Sequence, residues 1–264
     1  MKILPFFNQP AFRLFTLSLC AALAFGSNRK HPMKQFKPIY DGQFMCAYEE
    51  TNEQYKEFLT DLKTAGYDSL YWERYPDTAQ WTARFPDASL KPMQENYFQH
   101  PAYDQYPVVN LTMDDIVHYL RWKTAKYGNY RNDSVVFRLP NEDEWKDALF
   151  VLPGSEFPWE GTSMFVETRK GVMAQANLKA ENPALNIMAD GGLFQTAVES
   201  YPPNNRGLYQ MIGNVAELTY EGLIKGGSWN NYLAESGVHS VQQYQLPHPC
   251  VGFRVLAVVY PREK

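Results

Sequence analysis

Three cysteines, Cys20, Cys46 and Cys250, carry the softest donor atoms of this chain, and their spacing bounds the metal and redox chemistry they could support. They form no CxxC pair, and no cysteine–histidine set at zinc spacing accompanies them, so a zinc site is not supported. The five histidines are scattered. In an oxidising compartment Cys46 and Cys250 could pair and close a very long loop; equally, they could be two buried thiols that never meet. Downstream, Gly226-Gly227-Ser228-Trp229-Asn230-Asn231-Tyr232 gathers a hydroxyl, two carboxamides and two aromatic rings behind a glycine pair. Taken alone, Ser228 there satisfies a local turn.

The elements that must position these groups are few. The chain has 264 residues, 45% of them hydrophobic and 15% aromatic, with 18 prolines and 16 glycines, which suits a core pinned by rings and fixed backbone angles. No composition shift marks a second domain. Lys2 and Arg13 precede an apolar run over residues 14–25, and Ala22-Leu23-Ala24 offers small residues for a peptidase, so residues 1–24 read as a secretory signal peptide and 25–264 as one domain. The run falls short of the ~20 residues of a bilayer span. Cys20 raises lipidation, although Leu19 precedes it where a small side chain is usual. Location in the periplasm or at the outer membrane follows, with a lipid anchor at Cys20 as an option. The formal charge is −4, and losing Lys2 and Arg13 makes it −6, which argues against nucleic acid as a partner.

Three main helices are predicted from their starts. Thr51 and Gln54 form a capping box ahead of Tyr55, Phe58, Leu59 and Leu62 on one face; Thr112 precedes Ile116, Tyr119 and Leu120; Asn141 and Glu144 precede Trp145, Ala148 and Leu149. Short strands are expected over 44–48, 135–139, 223–225 and 251–259, the last apolar on both faces and so interior to a sheet. Two long stretches, 67–106 and the one between the third helix and Leu223, need something to hold them.

Several separated blocks share one order. Tyr48-Glu49-Glu50-Thr51-Asn52-Glu53-Gln54-Tyr55 comes first, then Tyr106-Pro107-Val108-Val109 and the helix through Trp122, then Arg138-Leu139-Pro140-Asn141-Glu142-Asp143-Glu144-Trp145. Phe157-Pro158-Trp159, Pro202-Pro203-Asn204-Asn205-Arg206-Gly207-Leu208-Tyr209, Gly213-Asn214-Val215-Ala216-Glu217, Gly226-Gly227-Ser228-Trp229 and Gly252-Phe253-Arg254 follow. In this order the blocks resemble the sulfatase-modifying-factor family, to which the formylglycine-generating enzymes belong. The resemblance implies an α+β, C-type-lectin-like fold, loop-rich with few short strands. Tyr75-Pro76-Asp77-Thr78, Trp81 and the run from Tyr97 through His100 to Val109 further resemble an insertion in gliding-motility and type IX secretion lipoproteins of Bacteroidota.

The enzymes of that family oxidise a substrate cysteine at copper held by two thiolates, placed as G-G-S-x-x-C-x-x-x-x-C. Counted from Gly226, the matching positions here are Asn231 and Ser236, neither of which supplies a thiolate, so copper is not expected. Ala216 and Leu218 stand where tryptophans are usual in the family. The resemblance also implies structural calcium, first at Asn177, Leu178, Asp190 and Gly192, and more weakly at Gln210, Gly213, Val215 and Glu217. Without calcium, Asp190 caps a turn and Glu217 forms a buried ion pair. The expected function is a non-catalytic envelope scaffold or interaction protein with a protein partner, its binding surface at Ser228, Trp229, Asn230 and Tyr232. A lectin-like ligand-binding module and a formylglycine-generating oxidase are the alternatives.

Overall fold

The computed structural model describes residues 31–86, 90–169, 171–179 and 191–262. Residues 1–24, expected as a signal peptide and including Cys20, and Asp190 lie outside the described residues. A hairpin of β1 (Phe36–Tyr40) and β2 (Gln43–Cys46) leads into helix α1 (Asn52–Thr64). Short helices α2 (Asp68–Glu73), α3 (Gln80–Arg84) and α4 (Lys91–Asn96) precede α5 (Met113–Tyr127). Strands β3 (Asn129–Tyr130) and β4 (Asp133–Arg138) come before α6 (Glu142–Leu149). The remainder holds β5 (Phe165–Thr168), β6 (Gly171–Ala174), β7 (Ala216–Leu218), β8 (Leu223–Lys225), β9 (Gln242–Gln243), β10 (Val251–Phe253) and β11 (Leu256–Tyr260).

The three long helices start where capping chemistry places them. Thr51, Thr112 and Asn141 each accept a hydrogen bond from the backbone N–H three residues on, and Gln54, Asp115 and Glu144 return the bond to the cap. Each such cap contributes about 1 kcal/mol. The apolar stripe of α1 packs with Ile116, Tyr119, Leu120 and Trp122 of α5 over one face of a five-stranded sheet, order β1-β2-β11-β4-β3. On the opposite face Trp145, Ala148 and Leu149 of α6 meet Met45 and Leu256.

The apolar segment expected as one strand over 251–259 is two. β10 runs parallel to β7 in a separate four-stranded sheet, order β10-β7-β8-β9, whereas β11 lies antiparallel between β2 and β4. The break falls at Arg254, whose fully buried guanidinium is bound to Glu217 and to the carbonyls of Cys46 and Tyr209, so the chain changes sheets there. The expectation of an interior strand holds for β11, with Leu256 and Ala257 buried on opposite faces.

The stretch 67–106 is an aromatic-pinned segment rather than a bare loop. Trp81, Met93 and Tyr97 form a core cluster with Val109 and Val215. Asn52, at the first turn of α1, anchors the segment by donating its side-chain amide to the carbonyls of Tyr97 (3.1 Å) and Tyr103 (2.9 Å).

Candidate functional site

The polar stretch after the glycine pair forms one wall of an open cleft of about 540 Å³. β8 delivers the chain into Gly226 and Gly227, both at positive φ (84° and 67°). A Cβ on Gly227 would lie 2.1 Å from Ser236 Oγ, so only glycine allows this approach. Asn231 then closes the turn, its Oδ1 accepting from the Ser228 backbone N–H at 3.0 Å and from the Ser228 hydroxyl at 2.7 Å. Ser236, fully buried, donates its hydroxyl to the Tyr232 carbonyl at 2.9 Å. Ser228, Asn230 and Asn231 line the cleft together with Cys250 from the segment leading into β10. Burial pushes the Cys250 thiol up to about 12, against the opposing effect of a hydrogen bond with Ser228.

Behind that wall lies a buried charge network. Arg254 grips both oxygens of Glu217 through Nε, at 3.0 and 3.1 Å, and Trp145 Nε1 donates to Glu217 at 2.7 Å. Glu49, also fully buried, accepts from the Asn214 amide at 2.9 Å. Arg254 carries one positive charge against two nearby carboxylates, and burial pushes Glu49 up to about 8, so the surplus carboxyl is the protonated one. Asn214 Oδ1 in turn accepts from Thr196 N–H and from the Asn177 amide.

The sulfatase-modifying factor enzyme 1-like domain model matches residues 21–259. The chain belongs to that family. It is 28% identical over 200 residues to the formylglycine-generating enzyme of Bos taurus, covering 68% of this chain and 48% of the relative. It is 25% identical over 217 residues to the inactive C-alpha-formylglycine-generating enzyme 2 of Bos taurus, covering 72% and 66%. The chain thus spans about half the length of the formylglycine-generating enzyme it matches, and the family's relatives include both kinds of protein. Among solved structures, CarF superposes with a TM-score of 0.53 at 18% identity over 84% of this chain and 87% of that one. Treponema denticola variable protein 1 gives 0.52 at 17% identity over 83% and 84%. These two likenesses concern the fold, which is the sulfatase-modifying-factor, C-type-lectin-like one.

Within this domain the sequence-predicted residues separate into distinct places. Ser228 and Asn230 line the cleft, and Tyr232 is exposed beneath the Lys179 ammonium, 5.3 Å from its ring centroid. Trp229 is half-buried, packs on Phe85 with ring centroids 5.2 Å apart, and leaves its buried Nε1 without a partner among the described residues. For the first calcium set, Asn177 commits its amide nitrogen to Phe194 O and Asn214 Oδ1, and its own Oδ1 faces Gly192, where a Cβ would lie 2.8 Å away. Leu178 follows it in the buried core, and Asp190 lies outside the described residues.

For the second set, Glu217 is the buried ion pair, and a carboxylate matched by a guanidinium has no charge to offer a cation. Gly213 (φ 81°) packs on the Asn177 backbone, Gln210 donates to Ala197 O at 3.0 Å, and Val215 belongs to the aromatic cluster. Cys46 and Cys250 are free, buried thiols, and burial together with Glu50 pushes Cys46 up to about 11. Sequence reading missed Arg84 and residues 242–246, which line the cleft along with Ala216, Ile224 and Val251 of the four-stranded sheet. Their one legible signal was three glutamines, Gln242, Gln243 and Gln245, within four residues.

Proposed function

We propose that the domain is a non-catalytic member of its family that works as an interaction protein of the cell envelope, holding a protein partner at the cleft. The observation that carries this reading is the chemistry at the two positions matched with the family's cysteines. Asn231 and Ser236 present a carboxamide and a hydroxyl, and each is already spent on the turn that shapes the wall. Cu(I) selects soft thiolates, and the donor set does not fit it: among the described residues Cys250 is the one thiol on the cleft, held protonated by burial. Kinship to gliding-motility and type IX secretion proteins is the finer proposal, supported by the Tyr75–Val109 motifs, which build the aromatic cluster flanking Trp229. Export of the chain, with the mature start near Phe25 or an anchor at Cys20, belongs to the same proposal.

Calcium is proposed at the first set alone, where Asn177 brings a carboxamide oxygen, a hard donor, close to Gly192. The test of the non-catalytic reading supplies the purified chain with copper, oxygen and a sulfatase-type cysteine peptide. Mass spectrometry is expected to return the peptide unoxidised. Formylglycine above a no-protein control, removed by Cys250→Ser, overturns the reading.

A further inference from the structure

The largest side chain of α2 faces away from the core. Trp72 is 68% exposed, whereas Trp81, Trp122 and Trp145 are buried. Its ring is nevertheless held in place. It meets Tyr71 edge-on, with centroids 4.9 Å apart, and lies tilted against Tyr75 at 5.8 Å. Tyr75 packs edge-on against Phe98 at 5.2 Å, and Phe98 against Tyr55 at 6.2 Å. Phe98 and Tyr55 belong to the main core, so a chain of rings runs from the interior out to Trp72. An indole fixed in this way loses little freedom when a ligand covers it.

The groups beside the ring give the chemistry of that ligand. Asp68, Ser69, Trp72 and Glu73 are the exposed residues of α2, and Asp68 lies one turn before Trp72 on the same side. The Glu73 carboxylate is fixed: Arg74, itself buried, donates to it at 2.9 Å and is held in turn by Asp114 at 2.6 Å and Asp115 at 2.9 Å. The Lys63 ammonium stands over Tyr71, 5.3 Å from its centroid, and adds a donor. The core of a protein interface is depleted of carboxylates, and an anionic lipid surface is repelled by them. A pyranose with equatorial hydroxyls suits the set. Its axial C–H bonds make an apolar face of ring size for the indole, while the hydroxyls at its edge donate to carboxylates.

We propose that Trp72 is the platform of a saccharide site on α2, taking a neutral pyranose whose hydroxyls are held by Glu73 and Asp68. None of these residues lines the cleft, so the site stands whether or not the cleft holds a protein.

The test is saturation-transfer difference NMR, with calorimetry, on the purified chain and cellotetraose. Transfer to the axial ring protons is expected, with affinity falling tenfold or more in Trp72→Ala and by a smaller factor in Glu73→Gln. Trp72→Tyr keeps an aromatic face and should retain binding. Glu73→Gln keeps the shape of the side chain, so its melting temperature should match the wild type and its loss of affinity reads the carboxylate alone. Tetragalacturonate, whose own carboxylates meet Asp68 and Glu73, should bind more weakly than cellotetraose. No transfer to cellotetraose in the wild type, or equal affinity in wild type and Trp72→Ala, overturns the proposal. So does sedimentation with phosphatidylcholine vesicles that Trp72→Ala abolishes and cellotetraose does not compete, which makes the ring a membrane contact.

Discussion

At the scale of single residues, the molecule is governed by how the carboxyl and cationic groups it buries are matched. Arg254 and Glu217 neutralise each other, and Glu49 beside them is kept as a neutral acid by burial, with a value of about 8 against 4.5 for a free carboxyl. The native state therefore holds a proton that the unfolded chain releases above about pH 4.5. The stabilisation is complete below that value and is lost as pH rises towards about 8, at roughly 1 kcal/mol per pH unit. Urea unfolding of wild type and Glu49→Gln across this window should show the variant gaining stability relative to wild type as pH rises. Parallel curves would mean that Glu49 is ionised in the native protein. The ion pair itself was legible as one of two readings of Glu217. The state of Glu49 was not, because nothing in Tyr48-Glu49-Glu50 says that both acids are fully buried and that Glu50 meets Lys123 while Glu49 has no cation of its own.

At the scale of elements, the three long helices could be read from their caps, since Thr51, Thr112 and Asn141 announce starts that local chemistry alone fixes. The helices of five and six residues between 68 and 96 could not, because such lengths show no helical period and depend on the cluster around Trp81 and Tyr97. The strand over 251–259 was misjudged for a related reason: hydrophobicity does not record which sheet a residue joins. Asn52 shows how element and segment are joined, since its one amide serves two carbonyls 6 residues apart in the chain, at Tyr97 and Tyr103. Asn52→Ala leaves the buried Tyr97 carbonyl without this donor, while the Tyr103 carbonyl keeps the Tyr106 N–H, and should cost about 1–3 kcal/mol. Hydrogen exchange should accelerate over residues 97–106 well before it changes in β4 and β11. Uniform acceleration across the domain would show that this segment is not separately anchored.

At the scale of the whole molecule, much of the chain between α6 and β7 is irregular, and a cation bound only by the folded state would stabilise it by mass action. Calcium at a hundredfold excess over its dissociation constant adds about 2.7 kcal/mol, which for a domain of this size is about 5–10 °C in melting temperature. Chelation should remove that shift, and Asn177→Ala or Asp190→Ala should abolish most of it. A melting temperature indifferent to chelator and calcium alike would show that packing alone holds these loops. The position of β11 carries a different consequence. It is the middle strand of the main sheet, yet it is made of residues 256–260, which are synthesised long after the β2 and β4 that flank it. Until they emerge, β2 and β4 have no strand between them to pair with, so this sheet cannot close on a growing chain. Closure of this sheet thereby waits for β11 and cannot accompany the emergence of β2 and β4.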